Sequence, residues 1–143
     1  AEPAEASNCD VVVTATGATE PVLLGRWLSE AAHLNAIGAH TRNTREIDTE
    51  AVTRASILAV ETVDTLLEAG DLQLAEDEAG GVLARVATLG ALLDPSAPPS
   101  QSGERGAISI FKSCGIAFED LAVAALAFSR AQERSLGVRF SFA

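Results

Sequence analysis

The chain has 143 residues, of which 48% are hydrophobic, 21% charged and only 4% aromatic; that supplies one domain with an aliphatic core and too much apolar material for intrinsic disorder. Twenty acidic residues against ten basic ones give a net charge of −10, so the basic face that nucleic acid or an anionic membrane demands is not expected, and the acidity reads as solubility. No apolar run reaches the roughly 18 residues of a membrane helix, no leader pattern is present, and Cys9 and Cys114 lie in no metal-ligand spacing, so both read as small core residues of a reduced, cytoplasmic protein.

Ala1 to Asn8 is polar and reads as frayed. Asp10 to Thr16 is a β-branched run ended by Gly17; being continuous rather than alternating, it suits a parallel strand buried on both faces. Glu20 to Leu24 is a turn and Arg26 to Glu30 a single helical turn. His33 to Gly38 reads as a second strand, followed by a polar loop from Thr41 to Glu46. Asp48 can cap a short helix from Thr49 to Arg54, and Ser56 to Glu61 is a third strand.

Asp64 to Ala69 reads as a helix with Gly70 as its left-handed cap, and Asp71 to Gly81 as a loose acidic stretch. Val82 to Leu93 reads as a helix, with Val82, Val86, Leu89 and Leu93 on one stripe. Asp94-Pro95 stops it, Ser96 to Gly106 is a loop, and Ile108 to Phe111 is a fourth strand. The last helix is carried by Phe118, Leu121, Ala122, Ala125, Phe128 and Ala131, with Glu119 and Asp120 in its first turn and Arg130 and Arg134 near its end, as the helix dipole prefers. Gly137 closes it, and Val138 to Phe142 alternates like a one-sided strand. Strands alternating with helices at short spacing specify an α/β fold with a mostly parallel sheet flanked by helices.

In open parallel sheets the ligand sits beyond the carboxyl ends of the strands. Three such ends carry small and hydroxyl residues: Thr14, Ala15 and Thr16; Gly38, Ala39 and His40; and Lys112, Ser113, Cys114 and Gly115. Small residues let a flat ring or ribose approach the backbone, and hydroxyls can hydrogen-bond it. Each feature has a plain structural alternative. The threonines are good strand formers, Gly38 suits a turn, Ser113 can cap the last helix, and His40 can be a surface histidine. His33 reads as structural. With two isolated histidines and no partner at ligand spacing, no zinc site is expected. No G-x-G-x-x-G, P-loop or nucleophile elbow is present, which is a puzzle for a dinucleotide-binding chain.

Taken together and in order, Asp10-Val11-Val12-Val13-Thr14-Ala15-Thr16, Asn35-Ala36-Ile37-Gly38-Ala39-His40, Arg45-Glu46-Ile47-Asp48, Glu68-Ala69-Gly70-Asp71-Leu72 and Phe111-Lys112-Ser113-Cys114-Gly115-Ile116-Ala117-Phe118-Glu119-Asp120 closely resemble the ornithine cyclodeaminase/mu-crystallin family over nearly the whole chain. The resemblance implies a Rossmann-like domain lacking its first glycine-loop βαβ portion. Residues 1–112 would be its later part, and residues 113–143 a helix and strand returning toward a substrate and dimerisation domain. It favours a fragment over a removed initiator as the reason that the sequence contains no Met.

The resemblance further implies NAD or NADP as cofactor. Thr14, Ala15 and Thr16 would lie on the adenosine side and Ile37, Gly38 and Ala39 on the nicotinamide side, with Ser113 also touching cofactor. It implies a small imino or amino acid as substrate and a homodimer in the intact protein. Ornithine cyclodeaminases have a catalytic Asp where this chain has His40; that departure argues against ornithine cyclisation, leaves cyclic-imine reduction or amino-acid dehydrogenation, and makes His40 a candidate proton donor. Two alternatives stay open: a non-catalytic protein that binds NADPH and a small ligand, or an inactive truncated chain.

Overall fold

A computed structural model describes residues 2–96 and 107–141. Pro3–Ala6 forms one helical turn, α1, with the Glu5 carboxylate accepting the Glu2 amide at 3.3 Å, so its described residues are ordered locally rather than frayed. Five strands follow: β1 (Val11–Thr14), β2 (His33–Ala36), β3 (Ile57–Val60), β4 (Val86–Thr88) and β5 (Ser109–Lys112). They form one sheet in the order β1-β2-β5-β3-β4, and every pairing is parallel. The helices α2 (Thr49–Arg54), α3 (Thr65–Glu68), α4 (Gly70–Ala79) and α5 (Leu89–Leu93) connect the strands, and α6 (Ala117–Glu133) follows the last of them. This is the parallel α/β architecture that the alternation of elements specifies.

The register explains where the core sits. Val12, Leu34, Ile110 and Leu58 lie side by side across β1, β2, β5 and β3, and so do Thr14, Ala36, Lys112 and Val60. Both rows are buried, because successive strand residues point to opposite faces and these point toward α2 and α4. Ile47, Val52, Leu72, Ala75 and Val82 complete that core. The opposite face is only partly covered. Val11 and Val13 of β1 are 59% and 56% exposed, and α5 leaves a groove of 420 Å³ lined by His33, Asn35, Ile57, Ala59, Leu89 and Leu92. The expectation that the first strand is buried on both faces is therefore corrected: no described element covers this side of it.

Three further expectations fail for physical reasons. Residues 71–79 are helical, not loose, because Leu72 and Ala75 are buried on one side and Asp71 is itself an interior group. Gly70 does not cap α3 in a left-handed conformation; it opens α4, and a Cβ there would lie 2.2 Å from the Thr44 carbonyl oxygen and 2.5 Å from that of Thr41. The glycine is needed for close approach. Residues 82–93 form a 3-10 turn (Leu83–Arg85), then β4, then α5, not one helix. The four-residue spacing of Val82 and Val86 imitates a helix, but the free edge of β3 recruits Val86–Thr88 as a strand, Leu58 pairing with Val86. Thr88 then caps α5 by accepting the Ala91 amide at 3.2 Å.

The ends of the chain also depart from expectation. Cys9 is exposed, since the ladder begins only at Val11; Cys114 is half-buried and packs against the core, where burial pushes its thiol pKa up. Residues 138–141 are exposed and form no strand, because no described strand edge lies beside them; Phe142 lies outside the described residues. Helix α6 projects Phe118, Leu121, Val123, Leu126 and Phe128 into solvent.

The expected turn at Arg26 is a 3-10 turn, Gly25–Trp27. Asp48 caps α2 as expected, accepting the Ala51 amide at 2.9 Å, and the same oxygen takes the Gly25 amide at 2.8 Å. Asp48→Ala is therefore expected to cost about 2 kcal/mol, the upper part of the range for a lost cap, measured as a shift in the urea midpoint with unchanged slope.

Candidate functional site

Parallel pairing aligns the carboxyl ends of β1, β2 and β5 as immediate neighbours. The candidate residues therefore come together, although they are 99 sequence positions apart at the extremes (Thr14 to Ser113). Ala15, Thr16, Ile37 and His40 are exposed at this edge, and Gly38 and Ser113 are half-exposed. Thr14 and Ala39 are buried. Thr14 Oγ1 has no hydrogen-bond partner among the described residues. The candidate residues thus form one contiguous set at one edge, with two of its members behind the surface.

What fixes this edge is a carboxylate that the sequence reading did not single out. Glu46 is completely buried. Its two oxygens accept the amides of Thr16, Gly38 (2.7 Å) and Ala39 (3.2 Å), tying the loop after β1 to the loop after β2. Burial pushes the Glu46 carboxyl pKa up, but these amide hydrogen bonds outweigh it and leave the group below the ordinary carboxylate value. Gly38 is required here. A Cβ would lie 2.1 Å from the Thr16 nitrogen and 2.2 Å from its oxygen, so the two loops meet backbone to backbone. Gly38→Ala is expected to cost about 1–3 kcal/mol through overpacking, and the amide resonances of Thr16 and Gly38 should shift while those of α2 stay in place.

Glu61 does the same at the end of β3. It accepts the Gly115 amide at 3.0 Å and the Thr65 hydroxyl at 3.1 Å. Burial raises its pKa, and the Ser113 hydroxyl with these partners brings it below the usual value. Ser113 therefore does not cap α6. Its Oγ accepts the Gly115 amide at 3.1 Å, and the cap position is Ile116.

Behind the edge lies a second charged group. Lys112 and Asp71 are fully buried and form an ion pair, Nζ to Oδ2 3.1 Å. Lys112 Nζ also donates to the carbonyl oxygens of Ala36 (3.2 Å) and Ala39. Asp71 Oδ1 accepts the amides of Glu46 (2.7 Å) and Ile47 (3.0 Å). The sequence signal for this cluster was a lysine ending an apolar strand and an acid opening a helix, both of which ordinarily read as surface.

His40 is the one titratable side chain of the candidate set. Its Nδ1 lies 2.9 Å from the Gly38 carbonyl oxygen. A carbonyl only accepts, so Nδ1 carries the proton of that bond and Nε2 is the exposed position, able to take or give a proton. His33 is structural in its contacts, with Nδ1 2.8 Å from Ser109 Oγ.

The sequence matches the profile of the ornithine cyclodeaminase/mu-crystallin family over residues 1–135, and the chain belongs to that family. It is 34% identical to an alanine dehydrogenase of Archaeoglobus fulgidus over 139 residues, which are 96% of this chain and 42% of that protein. Among solved structures it resembles a probable ornithine cyclodeaminase from Bordetella pertussis (TM-score 0.79, 40% identity, 97% of this chain and 45% of that one). It also resembles the Thermococcus litoralis Δ1-pyrroline-2-carboxylate reductase in complex with NADH and L-proline (TM-score 0.76, 29% identity, 96% and 42%). The chain spans less than half the length of these relatives. No helix among its described residues is long and apolar enough to cross a membrane.

Proposed function

We propose that this chain forms the carboxyl-edge wall of an NAD(P) site, and that the protein carrying it is a cytoplasmic, homodimeric oxidoreductase acting on a cyclic imine or an amino acid. One observation carries the reading. The ends of β1, β2 and β5 present Ala15, Thr16, Ile37, Gly38 and Ser113 as one row of small, apolar and hydroxyl surface, with the loops drawn together by the Glu46 carboxylate. The residues fit a dinucleotide in its flat parts. Ile37, 45% exposed, offers an apolar face for a ring, Gly38 brings backbone to the surface, and the buried Thr14 hydroxyl has a hydrogen bond to spare. No glycine-rich phosphate loop occurs in this sequence, so the pyrophosphate must be held elsewhere.

Thr14, Ala15 and Thr16 take the adenosine side, Ile37, Gly38 and Ala39 the nicotinamide side, and Ser113 closes the row. Residues 113–143 lead α6 away from the sheet toward a substrate and dimerisation domain. The cofactor, when bound, supplies or takes the hydride at the carbon of the carbon–nitrogen bond. His40 Nε2 gives the matching proton to the nitrogen in reduction and takes it back in oxidation. The reading is tested with the intact protein by following reduced-nicotinamide absorbance with cyclic ketimines and with 2-oxo acids plus ammonia. Turnover with one of these substrates is expected; saturable cofactor binding with no turnover on any of them would overturn the enzymatic assignment and select a carrier role.

A further inference from the structure

The buried charges behind the site form a closed ring. Lys112 Nζ meets Asp71 Oδ2 (3.1 Å). Asp71 Oδ1 accepts the Glu46 amide (2.7 Å). The Glu46 carboxylate accepts the Ala39 amide (3.2 Å), and the Ala39 carbonyl returns to Lys112 Nζ. The ring draws on β5, α4, the segment before α2 and the loop after β2, and all three charged members are fully buried.

Stability alone does not account for it. Two charges placed in a core cost solvation that an apolar pair of the same volume would not, and Lys112 stands in a row otherwise made of Thr14, Ala36 and Val60. An aliphatic residue at that point would continue the core. It could not donate to two carbonyls. Ala36 ends β2, and Ala39 lies three residues beyond, past its last ladder pair; Lys112 gives the Ala39 oxygen a charged donor beside the Cys114 thiol at 3.9 Å. Nor could an apolar residue at position 71 accept the amides of both Glu46 and Ile47, which places the Glu46 carboxylate opposite three loop amides.

We infer that Lys112, Asp71 and Glu46 are positioning residues, whose closed hydrogen-bonded ring locks the segment Ile37–His40 against the end of β1. The lock acts on the Gly38 carbonyl as well as the amides, and that carbonyl orients the His40 ring. The ring network thus sets where a nicotinamide face and the His40 Nε2 stand relative to one another. This rests on the functional reading above for its meaning, but not for its test.

The test is amide hydrogen exchange by NMR on the 143-residue chain, without cofactor, in the unaltered protein and in two variants. Glu46→Gln replaces one accepting oxygen by a donor facing amides. Asp71→Asn combined with Lys112→Met removes both charges of the buried ion pair while keeping an accepting oxygen for the Glu46 and Ile47 amides. In the unaltered chain the Gly38 and Ala39 amides should exchange as slowly as those of Leu34 and Ile110 in the sheet. In Glu46→Gln they should exchange roughly tenfold or more faster, the effect of losing at least one buried hydrogen bond, with Leu34 and Ile110 unchanged. In the double variant they should do so through loss of the Lys112 tether to Ala39.

NADH affinity, measured in parallel, should fall by about the same factor in each variant. Two results would overturn the inference. One is free exchange at Gly38 and Ala39 in the unaltered chain. The other is exchange in the variants that rises only in step with Leu34 and Ile110, as a purely structural role predicts. Absence of NADH binding by the unaltered chain counts instead against the functional reading and leaves the exchange rates to decide the lock.

Discussion

Lys112→Met is expected to destabilise the chain by about 3–5 kcal/mol, the cost of removing one partner of a buried ion pair. Methionine has nearly the length of the lysine stem and no polar end, so the volume is kept while three contacts vanish. Asp71, fully buried, loses its cation, and the carbonyls of Ala36 and Ala39 lose a donor. The carboxylate cannot escape by swinging outward, because its other oxygen is engaged by the Glu46 and Ile47 amides; it must take up a proton or admit water. Urea denaturation of the two proteins measures the loss. A cost of only a few tenths of a kcal/mol, as surface ion pairs give, would show that Lys112 reaches solvent and that the buried pair does not form.

The second large effect belongs to chemistry rather than folding. His40→Asn in the intact protein is expected to lower kcat by about 10²–10⁴-fold, the usual worth of a positioned acid–base group, with little change in affinity for the reduced cofactor. Asparagine can keep a hydrogen bond to the Gly38 carbonyl that His40 makes at 2.9 Å, so the loop should stay in place while the exposed titrating nitrogen disappears. A variant with full activity would remove His40 from the mechanism and leave it as a loop histidine.

The architecture was legible in the sequence because its strands announce themselves. The β-branched run from Asp10 to Thr16 and the strand signals from His33 to Gly38, Ser56 to Glu61 and Ile108 to Phe111 alternate with helical spacing, and that alternation specifies a parallel sheet. β4 was hidden by its own side chains. Val82, Val86, Leu89 and Leu93 recur at a helical period, and only the free edge of β3, a tertiary fact, turns Val86–Thr88 into a strand. α4 was hidden by its acids, since the sequence does not reveal that Asp71 faces inward while Asp77 and Glu78 face outward. The alternation at 138–141 forms no ladder, as fits a strand whose partners the resemblance assigns to a substrate and dimerisation domain.

The candidate site was legible in outline for a different reason. The rule that ligands lie beyond strand ends selects positions without any knowledge of side-chain contacts, and Thr16, Gly38 and Ser113 follow from it. The groups that organise those positions did not follow. Glu46 sits in a polar-looking loop, and its burial depends on Gly38 and Thr16 meeting backbone to backbone. Lys112 needs the register Ala36↔Lys112 and Val60↔Lys112 before its place in the core is evident. In a chain this acidic, Glu46, Asp48, Glu61, Asp71 and Glu76 are hydrogen-bond acceptors for backbone amides, so solubility is not the whole account of the acidity.

Dinucleotide binding by the aligned ends of β1, β2 and β5 is the property on which the proposed function stands. It is tested most directly by titrating the chain with NADH and with NADPH while exciting Trp27, its single tryptophan, with Gly38→Ala as the control. Saturable quenching of Trp27 with energy transfer to the nicotinamide is expected, weakened in the control. A chain that is folded, as its amide spectrum would show, yet gives no saturable change with either nucleotide would contradict it.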